Sequence, residues 1–174
     1  FSAGVPEDGK LKLTLEDAKA VTQKSALRAD RDGDNHYDLL SALQKSIRGS
    51  DPDAAVFYLA RILAGGDLVS ACRRISVCAA EDIGLAYSQA VVVVKSCVDS
   101  ALMLGMPEAR IPLANAAILL ATAPKSNSAE AAIDAAMADA EAGLGVNVPK
   151  HLQSPLYKGY KYPHSYPNHY VAQQ

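Results

Sequence analysis

The sequence predicts an all-α protein, and three observations support this prediction. The 174 residues include 31 alanines, the best helix formers, against 2 Phe and no Trp. Apolar residues recur three or four positions apart in several segments, as on one face of a helix. Gly, Pro, Ser and Asp divide the chain into helix-sized pieces. Because alanine buries little area per residue, we expect a multi-helix bundle with closely packed helices.

The first two helices are predicted by capping residues and apolar spacing. Thr14 and Asp17 resemble a capping box at the start of a helix over residues 15–27. A polar, acidic break precedes the second helix, which Gly49 ends. We expect the buried positions of this second helix to be Leu39, Leu40, Leu43 and Ile47.

Two aspartates begin the next two helices. Asp51 is followed by proline, the pattern of an N-cap with proline at the first helical position, and the glycine pair at 65–66 ends that helix. Its buried stripe is expected to be Ala55, Leu59, Ile62 and Leu63. Asp67 is expected to cap the following helix, which Gly84 ends. The stripe of that helix is expected to be Leu68, Cys72, Ile75 and Ala79.

Two further helices are expected in the middle of the chain. Ser88 is the candidate cap of a helix that Gly105 ends. The β-branched run at residues 91–94 favours a strand, but nothing nearby alternates with period two, so we assign it to the helix. Pro107 is expected to begin the next helix and Pro124 to end it. That helix is apolar nearly all round, which predicts a central, buried position.

The last predicted helix is rich in alanine. Ser126 or Asn127 is its candidate cap, and residues 129–142 carry small side chains that let helices approach closely. Such a face is a candidate for helix packing within or between subunits. The candidate packing or oligomer face comprises Ile133, Ala136, Met137 and Ala140.

Residues 151–174 differ in composition from the rest. They hold 5 of the 8 Tyr, 3 of the 4 His and 3 of the 9 Pro, which predicts an extended tail because proline excludes a regular helix. Tyrosines interleaved with lysines can stack on bases and neutralise phosphates, or can pack on this or a neighbouring subunit. The candidate DNA or partner contacts of the tail are Tyr157, Lys158, Tyr160, Lys161 and Tyr162. Further candidates, with a solvated surface position as the alternative for each, are Arg73, Arg74 and Lys125.

Charge and hydropathy exclude several classes of protein. The net charge is −2: residues 1–50 are balanced, residues 51–150 carry −4 and residues 151–174 carry +2. No segment is basic enough to establish nucleic-acid binding from charge alone. The most apolar run, residues 111–123, is shorter than the roughly 20 residues that a membrane span needs. Three cysteines in hydrophobic surroundings indicate buried free thiols and a cytoplasmic location.

The sequence also fails the common tests for a cofactor or metal site. Gly4, Gly9 and Lys10 match most of a P-loop, but Leu11 stands where a hydroxyl is needed. The aspartates of residues 30–38 lack the glycine and glutamate that an EF-hand needs at positions 6 and 12. The four histidines show no zinc spacing. We therefore expect this chain to bind no cofactor and no metal.

One pair of neighbouring carboxylates stands out as a candidate for acid–base chemistry. Glu81 and Asp82 are adjacent, however, and adjacent helical residues point in different directions. This favours a solvent-facing or hydrogen-bonding role. A self-contained helical enzyme that uses this pair together with His164 is the remaining enzymatic alternative.

Five segments of the chain carry a resemblance to a known family: residues 46–55, residues 72–75 leading to 80–86, and residues 105–110, 120–127 and 158–164. In the same order they resemble the C-terminal part of the RarA/MgsA family of replication-associated recombination AAA+ ATPases, and the resemblance covers about residues 14–172. It implies the end of an AAA+ helical lid and a linker in residues 1–35. It also implies a helical oligomerisation domain in residues 36–150, similar to the collar of clamp loaders, and a Tyr/Pro/His-rich tail in residues 151–174.

The resemblance further implies what this chain does and does not contribute. The Walker, sensor and arginine-finger elements of the family lie upstream and match no residue here, so we expect no catalytic residue and no ATP hydrolysis. ATP and Mg²⁺ would bind only to a full-length protein. The implied partners are further copies of the chain, as a homotetramer, together with DNA and replication proteins in a nucleoid-associated location. Because the chain begins at Phe1, we expect a piece of a longer protein.

Overall fold

The structure, a computed structural model, describes residues 15–16, 34–148 and 153. Within that part of the chain there are six α-helices and no strand, which confirms the all-α prediction. The helices are α1 (Asp34–Arg48), α2 (Pro52–Ala64), α3 (Leu68–Cys78), α4 (Gln89–Leu104), α5 (Arg110–Thr122) and α6 (Ser128–Glu141). A π-helical turn (Ala79–Ile83) and a 3₁₀ turn (Gly84–Tyr87) connect α3 to α4.

The chain divides into two compact units, residues 1–129 and residues 130–174. In the first unit α1 packs on α2, α4 packs on α5, and α2 also packs on α5. The second unit contains most of α6, on which no residue is buried. The predicted tail and all but two residues of the helix predicted at 15–27 lie outside the described residues. Residues 15 and 16 are helical.

The core of the first unit combines leucine and isoleucine with many alanines. All four positions predicted in α1 and all four in α2 are buried. The buried alanines confirm close packing of the helices; those with no exposed surface include Ala55, Ala71, Ala101, Ala116 and Ala117. Cys72 and Cys78 are buried and Cys97 is half-buried, all as free thiols. Of the stripe predicted for α3, only Leu68 is half-buried rather than buried.

The two aspartate caps form as predicted. Asp51 Oδ1 accepts from Ala54 N at 2.9 Å, and Asp67 Oδ1 accepts from Ser70 N at the same distance. These bonds satisfy amide groups that a helix leaves unpaired in its first turn. Ser88 does precede α4, but its backbone is already helical and its side chain makes no cap hydrogen bond. The predicted Ser88 cap is therefore wrong, although the bounds of the helix are right.

Two predicted helix bounds differ from the structure, and one prediction of burial holds only in part. The α-helix α3 ends at Cys78, and a π-helical turn continues to the predicted stop at Gly84. Helix α5 begins at Arg110 because a turn occupies the residues just before it. Its predicted central position is confirmed, since it packs on α1, α2, α3 and α4 and buries Leu113 and Leu120. One side of it is not covered, because Ile111 and Ile118 are 55% and 44% exposed. The apolar composition of a helix shows which of its faces can be buried. It does not show which of those faces the rest of this chain buries.

None of the helices that the structure describes has both the length and the apolar character needed to cross a membrane.

Candidate functional site

The π-helical turn places two neighbouring carboxylates against one guanidinium. Arg48 Nε donates to Asp82 Oδ1 at 2.5 Å, and Arg48 Nη2 donates to Glu81 Oε1 at 2.7 Å. Neighbouring helical positions were predicted to point apart, but the planar fork of donors on arginine bridges both side chains. The hydrogen-bonding interpretation of this pair is confirmed. Single π-helical turns are frequent at functional sites, so this turn is the first candidate.

Asp82 is the one charged side chain that is buried among the described residues. Its Oδ1 accepts a hydrogen bond from Arg48 Nε. Its Oδ2 has no hydrogen-bond partner among the described residues. Burial and the neighbouring Asp82 carboxylate raise the pKa of the Cys78 thiol to about 12. Cys78 is therefore a neutral thiol at pH 7, and it is not activated as a nucleophile.

The segment after α5 packs against the same turn. Ser126 N donates to the carbonyl oxygen of Asp82 at 2.8 Å. Gly84 has φ +46°, and a Cβ built there would lie 3.0 Å from the carbonyl oxygen of Ser126. This close approach holds the end of α5 and the turn together, and it requires glycine at position 84.

Lys125, a predicted contact residue, binds within its own chain. Its Nζ donates to the carbonyl oxygens of Ala121 and Ala123 at 3.0 and 2.6 Å and to Ser50 Oγ at 3.1 Å. Burial lowers the pKa of Lys125, and the Asp82 carboxylate partly offsets that effect. The side chain thus caps the C-terminus of α5, where a cation is favoured by the helix dipole.

A second candidate is a cleft of about 410 Å³ between α1 and α3, named here the arginine cleft. Its lining residues are His36, Tyr37 and Leu40 from α1 and Ser70, Arg73, Arg74 and Val77 from α3. The four α3 residues have the spacing i, i+3, i+4 and i+7, so they share one face of the helix. The cleft brings the predicted residues Arg73 and Arg74 together.

A chain of hydrogen bonds links the arginine cleft to the carboxylate pair. Arg74 Nη1 donates to Gln44 Oε1 at 2.7 Å, and Gln44 Nε2 donates to Glu81 Oε1 at 3.0 Å. Gln44 therefore uses both ends of its amide, and it separates Arg74 from Glu81 without neutralising either of them. Arg73, by contrast, is exposed.

The candidate face on α6 is exposed in the second unit. Ile133 and Met137 are 58% and 52% exposed, and Ala136 and Ala140 are exposed as well. Their role as a packing or oligomer face stays a prediction. The tail candidates at residues 157–162 lie outside the described residues, as does His164.

The sequence did not single out four residues that organise these two sites, namely His36, Tyr37, Gln44 and Arg48. The helical spacing of residues 36, 37, 40 and 44 could have placed most of them on one face of α1. Arg48 could not have been found this way, because its partners lie 33 and 34 positions further along the chain.

The described residues contain no group of three or more His, Cys, Asp or Glu side chains placed to hold a metal ion. The carboxylate pair is occupied by Arg48, and the arginine cleft is lined by cations.

Two known families of protein domains match the chain. A family model described as "MgsA AAA+ ATPase C terminal" matches residues 49–174, and one described as "AAA C-terminal domain" matches residues 2–48. The first match covers well over half of the chain and includes most of both candidate sites.

The chain belongs to the MgsA AAA+ ATPase C-terminal family. It is 54% identical over 176 residues to replication-associated recombination protein A of Bacillus subtilis and 39% identical over 180 residues to the Escherichia coli protein of that name. It is 34% identical over 154 residues to ATPase WRNIP1 of Dictyostelium discoideum. These alignments cover 96%, 98% and 88% of this chain.

The chain spans less than half of the curated relatives that it matches. It covers 42% of the Bacillus protein, 40% of the Escherichia coli protein and 17% of the Dictyostelium protein. The predicted resemblance to a C-terminal region of this family is thereby confirmed. The predicted boundaries at residues 35 and 150 stay predictions.

Proposed function

We propose that this chain is the C-terminal oligomerisation region, assembling as a homotetramer, of a DNA-dependent AAA+ ATPase that acts in replication-fork maintenance, recombination and repair. The family match and the relatives named for replication-associated recombination support the cellular role. Within a longer protein, ATP and Mg²⁺ would bind to a separate ATPase part. DNA and replication proteins would then be partners in a cytoplasmic, nucleoid-associated setting.

The observation that carries the proposal is an exposed apolar corner between α4 and α5. Ten residues of chain, 102–111, hold five large apolar side chains that are 47–80% exposed. They are Leu102, Met103, Leu104, Met106 and Ile111. Large apolar side chains that are exposed so close together in the chain are a candidate protein interaction surface. We name these five residues the α4–α5 corner.

Further apolar side chains extend the exposed surface along the same two helices. Val91, Val92 and Val93 of α4 are 41–60% exposed, and Ile118 of α5 is 44% exposed. Burying them against other copies would give an apolar interface of the kind that obligate assemblies form, which covers about 2,000 Å² or more. The candidate face on α6, in the second unit, is a separate candidate for contact with other copies.

In the proposed function this chain catalyses no reaction itself. Both members of the carboxylate pair already bind Arg48, and the high pKa of Cys78 disfavours a thiolate nucleophile. The alternative of a self-contained helical enzyme has no supporting contact among the described residues.

Light scattering coupled to size-exclusion chromatography tests the assembly. We expect a tetramer at tens of micromolar. Leu102→Lys with Met103→Lys should shift the chain toward monomer, because charge at an apolar interface is costly to bury. Ile133→Lys with Met137→Lys tests α6 in the same way. Val69→Lys is the matched control, since Val69 is 70% exposed on α3. A monomeric parent chain would overturn the proposal.

A second function, DNA or partner binding, is favoured by the arginine cleft and by the Tyr/Lys composition of the tail. The two functions are compatible, since the cleft and the α4–α5 corner use different helices. Lys158→Ala with Lys161→Ala should weaken DNA binding and its salt dependence if the tail contributes. Unchanged affinity and unchanged salt dependence would remove the tail from this function.

A further inference from the structure

We propose that the arginine cleft binds one nucleotide of single-stranded DNA, with the base stacked on Tyr37 and a phosphate held by Arg73. This inference rests on the proposed function, in which the assembly works on DNA. It deepens that function by naming a site, a strand type and the residues that hold each part of the nucleotide.

The charge of the cleft favours an anion. Its lining contains two guanidinium groups and no carboxylate, in a chain whose net charge is −2. Arg74 is held by the neutral amide of Gln44, so its charge is not cancelled by that bond. Arg73 is exposed, and no hydrogen bond or ion pair joins it to another described residue. A phosphate can therefore approach Arg73 without displacing a partner from the described part of the chain.

The aromatic side of the cleft favours a base. The Tyr37 side chain is 75% exposed, and its ring lies edge-to-face on His36 with centroids 5.7 Å apart. His36 is in turn held by Asp67, with Nε2 and Oδ2 3.3 Å apart. Tyr37 thus has a supported ring with a large exposed surface, as in the stacking platforms of single-strand binding proteins.

The size and lining of the cleft limit the ligand. A volume of about 410 Å³ is at the lower end of the range for ligand sites, so it suits one nucleotide rather than several. Leu40 and Val77 add an apolar lining on which a sugar or base edge can rest. An acidic peptide would use the arginines but would leave the exposed ring of Tyr37 without a role. Duplex DNA would keep its bases stacked inside the helix.

Fluorescence anisotropy with a labelled oligothymidylate tests the proposal on the whole chain. Tyr37→Ala should weaken binding about tenfold, the loss typical of one stacked base. Arg73→Ala should weaken binding and reduce the slope of log affinity against log salt by about 0.7, the value for one phosphate contact on a single strand. Phe57→Ala and Lys45→Ala are the matched controls, an exposed aromatic and an exposed cation outside the cleft, and should change neither quantity.

A second ligand separates stacking from charge. On an oligomer of abasic sites, Tyr37→Ala should have little effect while Arg73→Ala keeps its effect. Equal effects of Tyr37→Ala on both oligomers would overturn the stacked base. Hexaglutamate tests an acidic peptide as the ligand instead. If it competes with the oligothymidylate at similar affinity and binds more weakly to Arg73→Ala, the proposal is overturned in favour of an acidic peptide.

Light scattering on the same samples keeps this inference distinguishable from the proposed function. A normal assembly with unaltered DNA binding in both cleft variants overturns the cleft alone. Loss of affinity in these variants, with the assembly unchanged, supports the cleft. Cleft-dependent binding by a chain that never assembles supports the cleft and contradicts the proposed function.

Discussion

Among the residues that the structure describes, Arg48 is an exposed cation that pairs with a buried carboxylate, so its loss should cost stability. Its side chain is 53% exposed, yet it partners Asp82, whose side chain is only 3% exposed. A buried carboxylate without a partner is far less favourable than one in water. Arg48 therefore stabilises the fold mainly by keeping the buried Asp82 carboxylate paired, and its exposed contact contributes little.

Arg48→Ala should lower the free energy of unfolding by about 2 kcal/mol or more, because it leaves the Asp82 carboxylate buried and unpaired. Urea unfolding at one fixed protein concentration measures this. Lys95→Ala is the matched control, since Lys95 and Asp99 form an exposed pair four residues apart, worth roughly 0.3–0.5 kcal/mol. Equal losses in the two variants would contradict the role given to Arg48.

The Cys78 thiol makes the free energy of unfolding depend on pH in the alkaline range. Its pKa is about 12 in the folded chain against an ordinary value near 9.0, because burial and the Asp82 carboxylate disfavour the thiolate. A pKa that is raised on folding contributes stability below pH 9, and that stability is lost as pH rises toward 12. Over this window one thiol contributes a slope of up to about 1.4 kcal/mol per pH unit.

Unfolding of Cys78→Ala at pH 7, 9 and 10.5 checks this slope under reducing conditions. The parent chain should lose more stability between pH 9 and 10.5 than the variant does. Cys97→Ala is the control, because burial alone raises the pKa of the half-buried Cys97 thiol and its removal should change the profile less. Parallel pH profiles for the parent chain and Cys78→Ala would show that the thiol does not titrate as argued.

At the scale of elements, helix ends were predictable where a local capping residue determines them. Asp51 and Asp67 cap their helices through bonds to amides three positions ahead, which is local information. The π-helical turn was not predictable, because it brings Glu81 and Asp82 to an arginine on α1. A contact between elements more than 30 residues apart leaves no periodicity in the sequence.

Gly84→Ala should destabilise the junction of the π-helical turn and the segment after α5 by about 2–3 kcal/mol. Position 84 combines φ +46° with a 3.0 Å approach to the carbonyl oxygen of Ser126, so an added Cβ adds a clash to conformational strain. Gly66→Ala is the matched control, since Gly66 has φ +86° but no atom within 4 Å of the added Cβ. It should cost only about 1 kcal/mol.

The two glycine variants are compared by urea unfolding at equal concentration. Both positions have a positive φ, so the difference between the variants reports what position 84 adds to it, namely a ψ of −125° and the close approach to Ser126. If Gly84→Ala costs no more than Gly66→Ala, the segment after α5 moves freely away from the turn, and Ser126 does not hold the two together.

At the scale of the whole molecule, the exposed apolar surface on α4 and α5 predicts association with further copies of the chain. The sequence predicted α5 as central and buried, and the structure buries one side of it but leaves Ile111 and Ile118 exposed. Ile111 is also a member of the α4–α5 corner. An apolar composition that one chain does not bury is explained if further copies cover it.

If the chain unfolds from a tetramer, its thermal stability must rise with protein concentration. For concerted unfolding of four chains, a tenfold increase adds about 1 kcal/mol per chain, or roughly 2–4 °C in Tm for a domain of this size. Leu102→Lys with Met103→Lys should remove the dependence, because a monomer unfolds without a change in particle number, whereas Val69→Lys should keep it. Calorimetry over two decades of concentration measures both. A concentration-independent Tm in the parent chain would contradict coverage of the α4–α5 corner by further copies.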